Sequence, residues 1–67
     1  MAIYRMQVFD HIRAADERDF PDDDYAIRWS KRLLPTEIGS VVTVSAGRRV
    51  LGRWIRDTGW AAVWKVG

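Results

Sequence analysis

Cysteine is absent from the 67 residues, which excludes disulfides, thiolate catalysis and every zinc site that needs a thiolate ligand. Histidine occurs once, at His11. No apolar run approaches the roughly 20 residues that span a bilayer. The N-terminal "MAIYRMQVFDH" has neither the basic start nor the apolar run of a secretory signal. A cytoplasmic protein with no membrane partner is expected. Repeats and low-complexity tracts are missing, and no stretch carries a complete catalytic or cofactor motif, so no cofactor or metal is expected.

What is present is a chain of one-domain size that should fold. Apolar residues make up 48%, and four tryptophans supply large buriable surfaces, well beyond what a disordered chain offers. Charge is unevenly placed. Residues 1 to 24 carry seven acids against three arginines, whereas residues 25 to 67 carry eight bases against two acids. Six of the carboxylates crowd between Asp16 and Asp24. Opposite charge in the two halves points to a charged partner.

Alternation of Tyr4, Met6 and Val8 with Arg5 and Gln7 predicts a half-buried strand over 3–9. Residues 10–21 read as an acidic loop. Asp22, after Pro21, suits an N-cap, and Asp23 and Asp24 suit the positive end of the helix dipole, which predicts a helix over 22–34 stopped by Pro35. Its apolar residues Ala26, Trp29, Leu33 and Leu34 share a face, with Arg28, Lys31 and Arg32 opposite. Three strands follow, over 41–46, 49–56 and 60–66, with hairpin turns at "AGRR" and "RDTGW". The expected fold is α+β, in the order β-α-β-β-β. One helix packs on a four-stranded mixed sheet, with the first strand parallel to an edge of the meander.

Counting register outward from those turns pairs Ser45 with Val50, Thr43 with Gly52, Arg56 with Trp60, Trp54 with Ala62 and Gly52 with Trp64. Val41, Thr43, Ser45, Val50, Gly52, Trp54, Trp60, Ala62, Trp64 and Val66 then share one face, expected to lie under the helix. The open face would hold Val42, Val44, Leu51, Ile55, Ala61 and Val63 among Arg49, Arg53 and Lys65. A partly apolar face that one helix cannot cover points to a docking surface.

Short motifs carry little chemistry. "DTG" at Asp57 to Gly59 matches the aspartic-protease signature, but Arg56 and Trp60 flank it where such a site needs apolar strands, so a turn is expected. "GRRVLG" has the glycine spacing of a phosphate loop without its Lys-Ser/Thr ending or a following helix. A calcium hand counted from Asp22 would put Ile27 and Leu33 at positions six and twelve; counted from Asp16, it would put Pro21 and Ile27 there. His11 beside Asp10 has no serine or second acid placed to complete a catalytic set. A non-enzymatic protein is expected.

The strand, "FPDDDYAIRWSKRLL" and the closing "VVTVSAGRRVLGRWIRDTGWAAVWKV" resemble, in layout, small α+β proteins of bacteria and phages, among them anti-CRISPR inhibitors of host defence. That resemblance implies a protein-binding module that offers carboxylates where a nuclease or CRISPR complex expects phosphates. Asp16, Glu17, Asp19, Asp22, Asp23 and Asp24 would be the candidate contacts. The open face (Val42, Val44, Arg49, Leu51, Arg53, Ile55, Val63 and Lys65) supplies a second candidate surface. Two alternatives stand beside this expectation. One is nucleic-acid binding through Arg28, Lys31, Arg32, Arg48, Arg49 and Arg53, and the other is a homodimer.

Overall fold

A computed structural model describes residues 2–8 and 15–67. Five strands, β1 (Ala2–Val8), β2 (Asp16–Phe20), β3 (Val41–Ala46), β4 (Arg49–Arg56) and β5 (Ala62–Val66), form one sheet in the order β2-β1-β3-β4-β5. Every neighbouring pair is antiparallel. One helix, α1 (Asp23–Ser30), continues into a 3-10 turn at Lys31–Leu33 and packs on one side.

This corrects the expected four-stranded mixed sheet in two ways. The acidic segment is not a loop throughout: Asp16–Phe20 pairs with β1 as an edge strand, Phe20 opposite Ala2 and Asp16 opposite Met6. The first strand is therefore internal, antiparallel to both β2 and β3, and needs no parallel crossover. Charged side chains hid β2, yet an edge strand accommodates them, and charge there discourages pairing with foreign strands. The loop residues 10–14 and His11 with them lie outside the described residues.

Local chemistry explains the helix. Asp22 accepts a 2.8 Å hydrogen bond from the Tyr25 amide, which satisfies one of the unpaired N–H groups of the first turn. Asp23 and Asp24 follow within that turn. Leu34 turns extended, as a residue before proline tends to. The β3–β4 hairpin closes on Gly47 and Arg48, with Gly47 at φ +61 and Ala46 opposite Arg49, as a two-residue turn with glycine in first place requires.

The second correction concerns the sheet faces. Thr43 lies opposite Arg53, and Val44 opposite Gly52, while Ser45 still faces Val50; the register slips between Val44 and Ser45. One extra residue on β4 absorbs that slip, as in a β-bulge. Side chains alternate along a strand, so a one-residue slip exchanges the faces of β3 relative to β4. Val42 and Val44, expected on the open face, are fully buried beneath α1, and Leu51 packs against the same core. Val41 and Thr43 point the other way.

The β4–β5 pairing also differs, but by two residues: Trp54 faces Trp64, and Arg56 faces Ala62. An even shift preserves the faces, so Gly52, Trp54, Ala62 and Trp64 remain on the helix side. The core joins Tyr4, Met6, Phe20, Ala26, Leu34, Val42 and Val44, with Trp29, Trp54 and Trp64 half-buried around it. Trp54 Nε1 donates to the Ile27 carbonyl at 2.8 Å and to Ser30 Oγ at 3.1 Å, pinning the end of α1 to the sheet.

Candidate basic and aromatic site on the helix

The six carboxylates do not converge. Alternation along β2 sends Asp16 to the helix side, with Met6, and turns Glu17 and Asp19 to the open side, opposite Arg5 and Ile3. Asp22 caps α1. Asp23 accepts hydrogen bonds from the Tyr4 hydroxyl at 2.6 Å and from both terminal nitrogens of Arg49, at 2.9 and 3.2 Å. Asp24 pairs with Arg28 at 2.9 Å, an exposed i,i+4 pair of small energetic weight. Among the described residues, no three acidic or histidine side chains come together as a metal site.

Asp23 is the most perturbed acid. Hydrogen bonds from Arg49 first, and Tyr4 second, hold its carboxyl below the ordinary aspartate range. The same contact with Asp23 pushes the Tyr4 hydroxyl upward, helped by desolvation, and raises Arg49 further. These groups tie β1, the start of α1 and the β3–β4 hairpin to one another.

The basic residues fall into separate groups. Arg49 is committed to Asp23. Arg56, at the end of β4, donates from Nε to the Pro35 carbonyl at 3.1 Å and from its terminal nitrogens to the Trp60 and Leu34 carbonyls, so it secures the chain after the helix. Arg53 lies on the open face, between Thr43 and Lys65. Arg48 is exposed at the hairpin tip. The expected joint surface of helix and hairpin bases is thus divided.

Arginine and aromatic residues do converge at the flank of α1 that faces β2. The guanidinium of Arg18, from β2, lies 4.7 Å from the Trp29 ring centroid, and that of Arg32 lies 5.1 Å from it. Phe20 contacts the same indole, centroid to centroid 5.3 Å, and Tyr25 at 5.4 Å from Phe20. Tyr25, Arg28, Trp29 and Arg32 line a shallow cavity of about 270 Å³. Tyr25 is 47% exposed. Neither Arg18 nor Arg32 forms an ion pair with a described carboxylate.

Sequence periodicity grouped Arg28, Lys31 and Arg32 and assigned every tryptophan to the core; Arg28 and Arg32 do line this site, whereas Lys31 lies over Trp54, 5.6 Å from the ring centroid. Arg18 reaches Trp29 only because β2 is a strand, with Arg18 on the helix side beside Tyr4. No apolar alternation marks that strand, in which only Phe20 is apolar and buried.

"DTG" forms a turn. Asp57 Oδ1 accepts from the amides of Gly59 and Ala61 at 2.9 and 3.1 Å, and the left-handed residue is Trp60, at φ 61, rather than Gly59. No helix in the described residues is long and apolar enough to cross a membrane. In comparisons with protein-family models, curated proteins and solved structures, nothing matches the chain.

Proposed function

We propose that the protein is a non-enzymatic module that binds single-stranded nucleic acid at the flank between α1 and β2. One observation carries this reading: two guanidinium groups, Arg18 and Arg32, held over the Trp29 ring beside a cavity with an exposed tyrosine. A cation–π contact holds a guanidinium in place without using up its N–H donors, and a fork of N–H donors fits phosphate oxygens. An exposed aromatic beside such forks offers a base a stacking surface, which a single strand can use and a closed duplex cannot. Tyr25, 47% exposed, provides that surface.

Mimicry of nucleic acid by an acidic patch has less support. Asp22, Asp23 and Asp24 are each engaged within the fold, and Asp16 is turned away from Glu17 and Asp19.

Fluorescence anisotropy with labelled single-stranded DNA, single-stranded RNA and duplex DNA tests the proposal. Single strands should bind, with affinity falling as salt rises, because phosphate contacts release counterions. Replacing Arg18 and Arg32 together by Gln should weaken binding by about tenfold or more and flatten the salt dependence by about 0.7 per lost phosphate contact. Arg53→Gln, on the opposite face, should have much less effect. Absence of salt-dependent binding to any strand, or equal loss in the Arg53 variant, would refute the assignment.

A further inference from the structure

The two edges of the sheet are unlike. β2 carries Asp16, Glu17, Arg18 and Asp19 before Phe20, and charge of that density keeps foreign strands away. β5 runs Ala62, Val63, Trp64, Lys65 and Val66, with Lys65 its only charge, and no described residue pairs beyond it. Its hydrogen-bond phase is fixed at both ends. The Asp57 amide donates to the Ala61 carbonyl, and the Gly67 amide donates to the Leu51 carbonyl, both at 3.1 Å. Bonded pairs alternate along an antiparallel ladder, so Ala61, Val63, Lys65 and Gly67 direct their main-chain groups to β4. Ala62, Trp64 and Val66 turn their N–H and C=O groups outward.

We propose that two copies of this chain pair edge to edge through β5, antiparallel, about a two-fold axis that crosses the sheet beside Trp64. Ala62 then lies opposite Val66 of the second copy, Trp64 opposite Trp64, and Val66 opposite Ala62. Each of these pairs exchanges two hydrogen bonds, and no outward group of either strand is left over. Neighbouring registers do worse. Pairing Ala62 with Trp64 would call on Trp60 to continue the strand, and Trp60 is held left-handed at φ 61. Pairing Trp64 with Val66 would set Lys65 directly against Lys65.

The side chains suit the same register. On the helix side, Val66 is 84% exposed in the single chain and covers the small Ala62 of the second copy. Trp64 leans over β4, against Gly52 and with its ring centroid 5.3 Å from that of Trp54, so the two indoles part at the axis and leave room for Val66. On the open side, the methylene stem of Lys65 lies along Val63 of the second copy. α1 packs over β2 and β3, away from β5, so the two helices stay clear of each other. The contact falls short of the roughly 800 Å² per partner of tight complexes, so the dimer is weak and follows concentration. It leaves the flank between α1 and β2 uncovered, and its test is independent of nucleic-acid binding.

Sedimentation equilibrium on the full chain, from about 10 µM to about 1 mM, should show a mass rising from 7.8 kDa towards twice that value. Val66→Pro removes an outward N–H without touching the β4 ladder and should weaken association about tenfold or more, whereas Val66→Thr should retain it. Because the chain lacks cysteine, cross-linking reads the register directly. An Ala62→Cys chain mixed with a Val66→Cys chain and a mild oxidant should form the mixed disulfide, the two Cα atoms standing about 5.5 Å apart. Neither chain should cross-link to its own kind, because those positions lie about 13 Å or more apart along the strands. Circular dichroism checks each variant, and the cysteine pair carries the test if proline disturbs folding. A wild-type chain that stays monomeric throughout, a folded Val66→Pro chain that associates as the wild type does, or like-with-like disulfides as abundant as mixed ones would each overturn the proposal.

Discussion

The hydroxyl of Tyr4, in the middle of β1, donates a 2.6 Å hydrogen bond to Asp23, the first residue of α1. Because Arg49 grips the same carboxylate from the β3–β4 hairpin, one acid joins three segments distant in sequence. Its ionisation should be legible in stability. Asp23 is held below the ordinary range in the folded chain, so the contribution is present above the unfolded aspartate value and lost as pH falls through the depressed one. Urea midpoints should therefore decline below about pH 4, and Asp23→Asn should flatten that decline. Tyr4 is displaced upward, so its contribution is complete below the ordinary tyrosine range and disappears on deprotonation at higher pH. Tyr4→Phe should abolish that alkaline loss, as followed by denaturation between about pH 8 and pH 11.

Gly52 should not accept a side chain. Its φ is +155, and an added Cβ would collide with the Lys65 carbonyl oxygen and lie 2.7 Å from Trp64 Cζ2. The obstructing oxygen is backbone of the paired strand, so it cannot swing aside. Gly52→Ala is expected to cost about 2–4 kcal/mol in urea unfolding, above the penalty of an unfavourable backbone angle alone.

Trp54 acts through its indole N–H as well as its bulk. Removing that donor while keeping an aromatic ring, as in Trp54→Phe, takes one donor from the Ile27 carbonyl, to which the Ser30 hydroxyl also donates at 2.7 Å. A loss of about 1–3 kcal/mol is expected. A double-mutant cycle with Ser30→Ala should show coupling, because Ser30 Oγ accepts from the same N–H.

Ser40 is buried, and its hydroxyl has no hydrogen-bond partner among the described residues, although its backbone groups bond to Glu37 and Arg56. A buried hydroxyl without a partner carries a desolvation cost that a methyl group does not. Ser40→Ala should thus be neutral or should stabilise by up to about 1 kcal/mol, read from the thermal midpoint.

Sequence pattern was most informative where one local interaction decides geometry. Asp22 as a cap and Gly47 as a left-handed turn residue follow from side-chain chemistry within a few positions, and both are observed. Pattern was least informative where partners lie far along the chain. With four charged residues before Phe20, β2 has no apolar alternation to reveal it; its pairing with β1 is what makes it a strand. The β5 register was misplaced by two because the loop after β4 turns at Trp60, a residue whose left-handed backbone composition does not announce. The site suffered likewise: Arg28 and Arg32 follow from helical period, but the Arg18–Trp29 contact depends on a strand that the sequence conceals.

The bulge opposite Val44 and Ser45 acts on this molecule much as a reading frame acts on a message. Both alternating sets of β3, Val42 and Val44 on one side, Val41 and Thr43 on the other, can meet a hydrophobic neighbour, so neither set dictates its side by composition. The extra residue in β4 decides. Deletion of Leu51 would straighten the ladder and still leave Val42 opposite Trp54 and Val44 opposite Gly52, on the helix side. The surplus residue is therefore what lets a two-residue turn at Gly47 and Arg48 coexist with Val42 and Val44 in the core.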